Sequence, residues 1–175
     1  MSINYRPGQS SDTKQLATLH HTAWHTTYSH LIDPTFSATQ TPEHFHTLWQ
    51  RIFKTPTNHV WIAVTAKEEV IGFLLFNQNP NNSDPLPKNE VFALYLLQAY
   101  RRQGIGEGLF KLAIAHYQKR QEDFCLWVLA ENLPAYQFYQ KQGGQLISHK
   151  SQTFGQKRHV ALCFNWSFTP GSQGS

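Results

Sequence analysis

Two glycines, Gly104 and Gly106, stand where a buried apolar run gives way to a helical pattern, in the passage from Leu94 to Phe110 that reads LYLLQAYRRQGIGEGLF. No other stretch limits the chain so narrowly. The run Glu90 to Leu97 (EVFALYLL) is a buried strand, and Ile105, Leu109, Leu112 and His116 then recur at the 3.6-residue period of a helix. Glycines at that junction open the backbone and let a ligand approach closely, while the first N–H groups of the helix have no intrahelical partners. Those donors and the helix dipole make an anion site. Arg101 and Arg102 beside it offer guanidinium forks that match phosphate oxygens. The competing reading is a tight turn whose glycines serve packing only. A dinucleotide fingerprint is disfavoured, because the spacing is not G-x-G-x-x-G and the turn follows the fourth strand, and a P-loop is excluded because no Lys-Ser/Thr pair follows the glycines.

The rest of the chain supplies a setting for that turn. With 175 residues, 40% of them hydrophobic and 15% charged, it is the size of one ordinary domain that folds alone, expected over residues 1–168 with a flexible tail at 169–175. A short strand at 3–6 precedes Ser10 and Ser11, candidate caps for a helix spaced by Leu16, Leu19, Ala23 and Thr27. Thr41-Pro42-Glu43 marks a second helix start. Runs 59–66 and 70–76 read as an antiparallel hairpin, and the Asn- and Pro-rich 77–89 as a loop. Strand 124–129 leads to Asn132 as the cap of a helix running to Gly143, and strands 145–151 and 159–166 pair across Gly155. The order β-α-α-β-β-β-α-β-α-β-β describes an α/β or α+β domain around one mixed sheet.

Composition narrows the function classes. The formal charge of +4 is spread along the chain, so no basic patch supports nucleic-acid binding. No apolar stretch reaches the ~18 residues of a membrane span, and a cytoplasmic enzyme is the simplest expectation. Cys125 and Cys163 lie in apolar runs and read as core thiols, and a nucleophilic role for Cys125 is disfavoured. His21 with His25 and His44 with His46 suggest a metal, but no carboxylate or cysteine pattern completes a ligand set, so none is expected.

The turn, Arg101-x-x-Gly104-x-Gly106, resembles the acetyl-CoA signature Gln/Arg-x-x-Gly-x-Gly/Ala of the GNAT (GCN5-related N-acetyltransferase) superfamily. A second element of that family, Asn-x-x-Ala-x-x-Phe-Tyr with a helix-ending glycine, matches Asn132, Ala135, Phe138, Tyr139 and Gly143. The resemblance covers about Ile3 to Trp166. One departure is Gly144, where most members carry Phe. The resemblance implies a mostly antiparallel central sheet flanked by helices, and direct acetyl transfer from acetyl-CoA to a primary amine of a small molecule or peptide. The chain would be a monomer or homodimer. A CoA-binding sensor without turnover is the alternative.

It also implies site residues. Tyr95, Leu96 and Leu97 would free backbone donors at a bulge and bond the pantetheine arm, and Arg101, Arg102, Gln103, Gly104, Ile105 and Gly106 would hold the phosphates. Asn132 and Ala135 would add cofactor contacts, Asn132 being a helix cap on either reading. Glu90 would act on the acceptor's proton through water, unless it is a solvated loop-end residue. Tyr139 would protonate the leaving thiolate, unless it is a core aromatic. Trp24, His25, Tyr28 and His30 are candidates for acceptor contact.

Overall fold

The computed structural model describes residues 2–171. Residues 172–175 of the expected tail lie outside them, while Phe168 N, just ahead of the tail, and Thr169 N, at its start, donate to Asp123 Oδ1 at 2.6 and 2.9 Å. The chain forms two compact units, one running to Leu75 and resuming over Ala93–Phe110, the other comprising Phe76–Phe92 and the chain from Lys111 onward.

In the first unit, β1 (Ile3–Pro7) pairs antiparallel with β2 (His59–Thr65), followed in order by β3 (Val70–Gln78) and β4 (Asn89–Leu96). Helices α1 (Thr13–Tyr28), α2 (Pro34–Ser37) and α3 (Pro42–Lys54) accompany them. Leu16, Leu19 and Ala23 of α1 and Phe45, Trp49 and Ile52 of α3 are buried, as their helical spacing requires. Each such large side chain contributes roughly 1.5–3 kcal/mol. Thr41 Oγ1 caps α3 by accepting from His44 N at 3.1 Å. The start of α1 departs from expectation. Ser10–Asp12 form a 3₁₀ turn, and the buried Asp12 carboxylate, rather than a serine hydroxyl, takes Gln9 N at 2.8 Å and both Arg6 Nη atoms at 2.9 and 3.0 Å. Helix α2 was not expected, since four residues carry no period; Asp33 caps it through Thr35 N at 2.9 Å.

In the second unit, the opening residues of β4 pair in parallel with β5 (Phe124–Leu129) at Asn89↔Phe124 and Glu90↔Cys125. β5 pairs antiparallel with β7 (Lys157–Trp166), which pairs antiparallel with β6 (Gln145–Phe154). The result is the mixed, mostly antiparallel sheet with flanking helices that was expected. Helix α4 (Ile105–Arg120) leads into this unit, and α5 (Leu133–Lys141) follows β5. Phe124 stacks on Trp166 at 4.9 Å and on Tyr117 at 5.0 Å. A Cβ at Gly144 would lie 2.7 Å from Trp166 Cζ2 and 2.9 Å from Phe164 Cδ1. The aromatic that resembled proteins carry at this position is therefore replaced in space by strand β7.

Candidate active site

The turn ahead of α4 leaves open surface at its glycine and backbone donors at the start of the helix. Gly104 has φ +80°, a conformation that side chains rarely adopt, and a Cβ placed on it would meet nothing within 4 Å. Room for a ligand therefore exists at the glycine. The first intrahelical bond runs from Gly108 N to Gly104 O at 3.0 Å, so the N–H groups of Ile105 and Gly106 precede the helical ladder. Gln103 Nε2 braces the turn by donating to Ala99 O at 3.0 Å, and Arg102, with φ +60°, is exposed. Gly108 is there for contact: a Cβ on it would collide with the Tyr5 hydroxyl.

Arg101 behaves differently from its neighbour. Its Nε donates to Leu96 O at 3.3 Å and its Nη2 to Thr27 Oγ1 at 3.4 Å, so the side chain fastens the turn to β4 and to the last turn of α1. Linear sequence held no signal for this, since Thr27 is 74 residues away.

The backbone donors need one correction. Leu97 N donates to Ile71 O at 3.0 Å and Leu97 O accepts from Tyr100 N at 3.0 Å, so the donor expected to be free at Leu97 is spent on β3. Because successive N–H groups in a strand point to opposite edges, Leu94 and Leu96 direct theirs to the edge away from β3. Tyr95 shares the edge of Leu97, and its ring lies 5.0 Å from His20 and 5.6 Å from Phe73.

On the same unit, the acceptor candidates of α1 form an aromatic group. Trp24, buried, has His25, Tyr28 and Phe36 rings at 5.0, 5.5 and 6.3 Å. His25 Nε2 is 2.8 Å from Gln40 O, which can only accept, so the proton sits on Nε2. His30 is exposed beyond the end of α1. His20, not singled out from sequence, is buried among Phe45, Phe73 and Tyr95 with its Nδ1 accepting from Trp49 Nε1 at 3.2 Å, and burial with the nearby His44 charge pushes its pKa down to about 3. It stays neutral. Among the described residues no group of three or more metal-ligating side chains occurs.

The second unit holds the titratable candidates. Glu90 is 5% exposed, so the solvated loop-end reading fails. Its Oε2 accepts from Asn79 Nδ2 at 3.1 Å, and its Oε1 is buried without a hydrogen-bond partner. A bare carboxylate oxygen in such a place calls for a donor. Asn132 caps α5, its Oδ1 accepting from Ala135 N at 3.4 Å. Tyr139 lies on α5 with its ring buried near Phe164 and Trp166 at 6.2 and 6.3 Å. Cys125 and Cys163 are buried free thiols, and Cys125 Sγ donates to Pro87 O at 3.7 Å. The Cys163 hydrogen bond and burial push the Cys125 thiol up, which leaves it without nucleophilic character.

Known proteins share the family and the fold. The model of the Acetyltransferase (GNAT) family matches residues 24–144. An uncharacterized N-acetyltransferase, YuaI of Bacillus subtilis strain 168, is 28% identical over 165 residues, 94% of this chain and 92% of that protein. Among solved structures, PaiA N-acetyltransferase of Thermoplasma acidophilum in complex with coenzyme A superposes with a TM-score of 0.72 at 21% identity, covering 96% of this chain and 100% of that one. Arabidopsis thaliana NAA60 with a bisubstrate analogue gives 0.72 at 18% identity, covering 98% and 100%.

Proposed function

The chain belongs to the GNAT acetyltransferase family, and on that premise we propose that it transfers an acetyl group from acetyl-CoA directly to a primary amine of a small molecule or a peptide. The observation that carries this reading is the Gly104 turn, whose left-handed glycine, open surface and leading helix N–H groups suit a pyrophosphate. Ile105 and Gly106 N–H and the exposed Arg102 are assigned to the phosphates, with Gln103 bracing the loop. Asn132 and Ala135 at the start of α5 are assigned to further donor contacts.

Acetyl-CoA supplies a thioester carbonyl, and the chain supplies proton management and charge stabilisation. Glu90 draws a proton from the acceptor ammonium through water, its buried Oε1 having no hydrogen-bond partner of its own, because an amine of pKa near 10 is protonated at neutral pH. The N–H of Leu96 or Leu94 stabilises the oxygen on which charge develops, worth roughly 3–4 kcal/mol for a well-placed donor. Tyr139 gives a proton to the departing sulfur. Trp24, His25, Tyr28 and His30 are assigned to acceptor contact.

Purified protein tested by calorimetry with acetyl-CoA, and by CoA-thiol release across alkylamines, aminoglycosides and peptides, decides the matter. Binding with no release for any amine would support a sensor instead.

A further inference from the structure

Of the six residues of β5, all are buried except Trp127, which is half-buried. The strand registers set it in a row. Glu90 pairs with Cys125, and Trp127 stands two residues beyond Cys125 and pairs with Cys163. Cys163 in turn pairs with Ser148 of β6, and Lys150 stands two residues further along that strand. Paired residues, and residues two apart, share one face of a sheet, so Glu90, Cys125, Trp127, Cys163 and Lys150 all stand on the same face. Phe124, stacked on Tyr117 of α4, lies on the other. Beyond their mutual hydrogen bond and burial, the two thiols feel charges from both ends of the row: the Glu90 carboxylate opposes their ionisation and the Lys150 ammonium favours it.

The far end of the row is open. Lys150 is exposed, and its Nζ stands 4.0 Å from the centroid of the Trp127 ring. An indole face attracts an ammonium but gives its N–H donors no oxygen, and among the described residues no carboxylate pairs with Lys150. We propose that Trp127 and Lys150 form a subsite for a carboxylate on the acceptor, so that the substrate is an amino acid whose amine faces the Glu90 end of the row and whose carboxylate faces Lys150. The proposal rests on the transfer reading above and names its substrate class. A single ammonium balances one negative charge, which suits a carboxylate and leaves a phosphate dianion half neutralised. Glu90 and Trp127 are one strand and two residues apart, roughly 8 Å between Cα positions. With water between Glu90 and the amine, the indole is left to cover the carbons that join amine to carboxylate. No bond changes at this subsite, so it holds substrate and transition state alike, and its loss should raise KM for the acceptor rather than lower kcat.

Turnover at saturating acetyl-CoA is to be compared for glycine, γ-aminobutyrate and ε-aminocaproate, each against its own carboxamide. Wild-type protein should favour at least one acid over its amide by tenfold or more in kcat/KM. Lys150→Met should bring that ratio to within about twofold of unity by raising KM for the acid, while kcat/KM for the amide and the affinity for acetyl-CoA stay within about twofold. Lys150→Glu should turn the preference to the amide. A wild-type ratio near unity for every pair, or equal losses for acid and amide in Lys150→Met, would overturn the proposal. So would a fall in acetyl-CoA affinity in that variant, which would assign the lysine to the cofactor. Protein that binds acetyl-CoA yet acetylates no amine would count against the transfer reading, and carbon-13 NMR of lysine-labelled protein then decides for the subsite alone. The Lys150 ε-methylene signal, shifted by the indole and missing in Lys150→Met, should move with the N-acetyl derivative of at least one acid and not with that of its amide. No movement, or equal movement with acid and amide, would overturn the subsite.

Discussion

Trp166 occupies the volume that a side chain at Gly144 would need, with its Cζ2 2.7 Å from the ideal Cβ position, and its Nε1 donates to Gln142 O at 3.0 Å. The ring also stacks on Phe124 with planes 4° apart, so it has little freedom to yield. Gly144→Ala should destabilise by about 1–3 kcal/mol, the usual cost of overpacking, and lower Tm by several degrees. Combining it with Trp166→Phe should recover part of the loss. Additive losses in thermal melts would mean that the two positions do not compete for space.

Gly104→Val is expected to weaken acetyl-CoA at least tenfold, about 1.4 kcal/mol, with the fold retained. Two effects act together: φ +80° is strained for valine, and the added side chain fills the open surface over the turn. Calorimetry giving an unchanged affinity in folded protein would remove the turn from the binding site.

Glu90→Gln should slow turnover most at low pH and progressively less toward the pKa of the acceptor, where little deprotonation remains to be done. The glutamine keeps a carbonyl for Asn79 Nδ2, so stability should change little. A pH–rate profile parallel to that of wild type argues that the buried carboxylate is structural.

For Tyr139→Phe, acetyl-CoA affinity should stay nearly constant and turnover should fall by ~10² to 10⁴. The loss should shrink with an acyl donor whose thiol is more acidic. Turnover above about half the wild-type rate, with chemistry limiting, would make the ring a packing residue against Phe164 and Trp166 and nothing more.

His20 gives the fold an acid limit. Its folded pKa of about 3 lies below the ordinary 6.5, because burial and the His44 charge oppose protonation, so the unfolded chain binds the extra proton between those values. Stability is complete above pH 6.5 and falls as pH drops toward 3, by at most about 1.4 kcal/mol per unit from this group. Urea melts from pH 7 to 4 should show that slope, and His20→Asn, which keeps an acceptor for Trp49 Nε1, should flatten it. An identical slope in the variant would assign the acid sensitivity elsewhere.

What could be read from the chain alone was what neighbours in sequence determine. Thr41 and Asn132 reveal their helices because a cap bonds within three residues, and Gly104 reveals the turn because glycine adopts its left-handed dihedral without strain. Position in three dimensions was another matter. The Glu131–His159 pair spans 28 residues and the Arg101–Thr27 bond 74, and neither side chain differs in type from one that merely faces water. The bonded N–H of Leu97 has the same cause, since which edge of a strand a donor faces depends on the partner strand, here through Ile71.

The bonds from Arg101 to Thr27 and Leu96 latch the turn ahead of α4 to the helix that carries Trp24 and Tyr28. A phosphate that drew this guanidinium away, in addition to Arg102, would release the C-terminal turn of α1, and the binding of one substrate would then loosen the helix before the other arrives. Steady-state kinetics should then follow a compulsory sequence, acetyl-CoA first, with the acetylated product dissociating before CoA. Amide exchange at the C-terminal turn of α1 should accelerate on adding CoA and be fast from the outset in Arg101→Met.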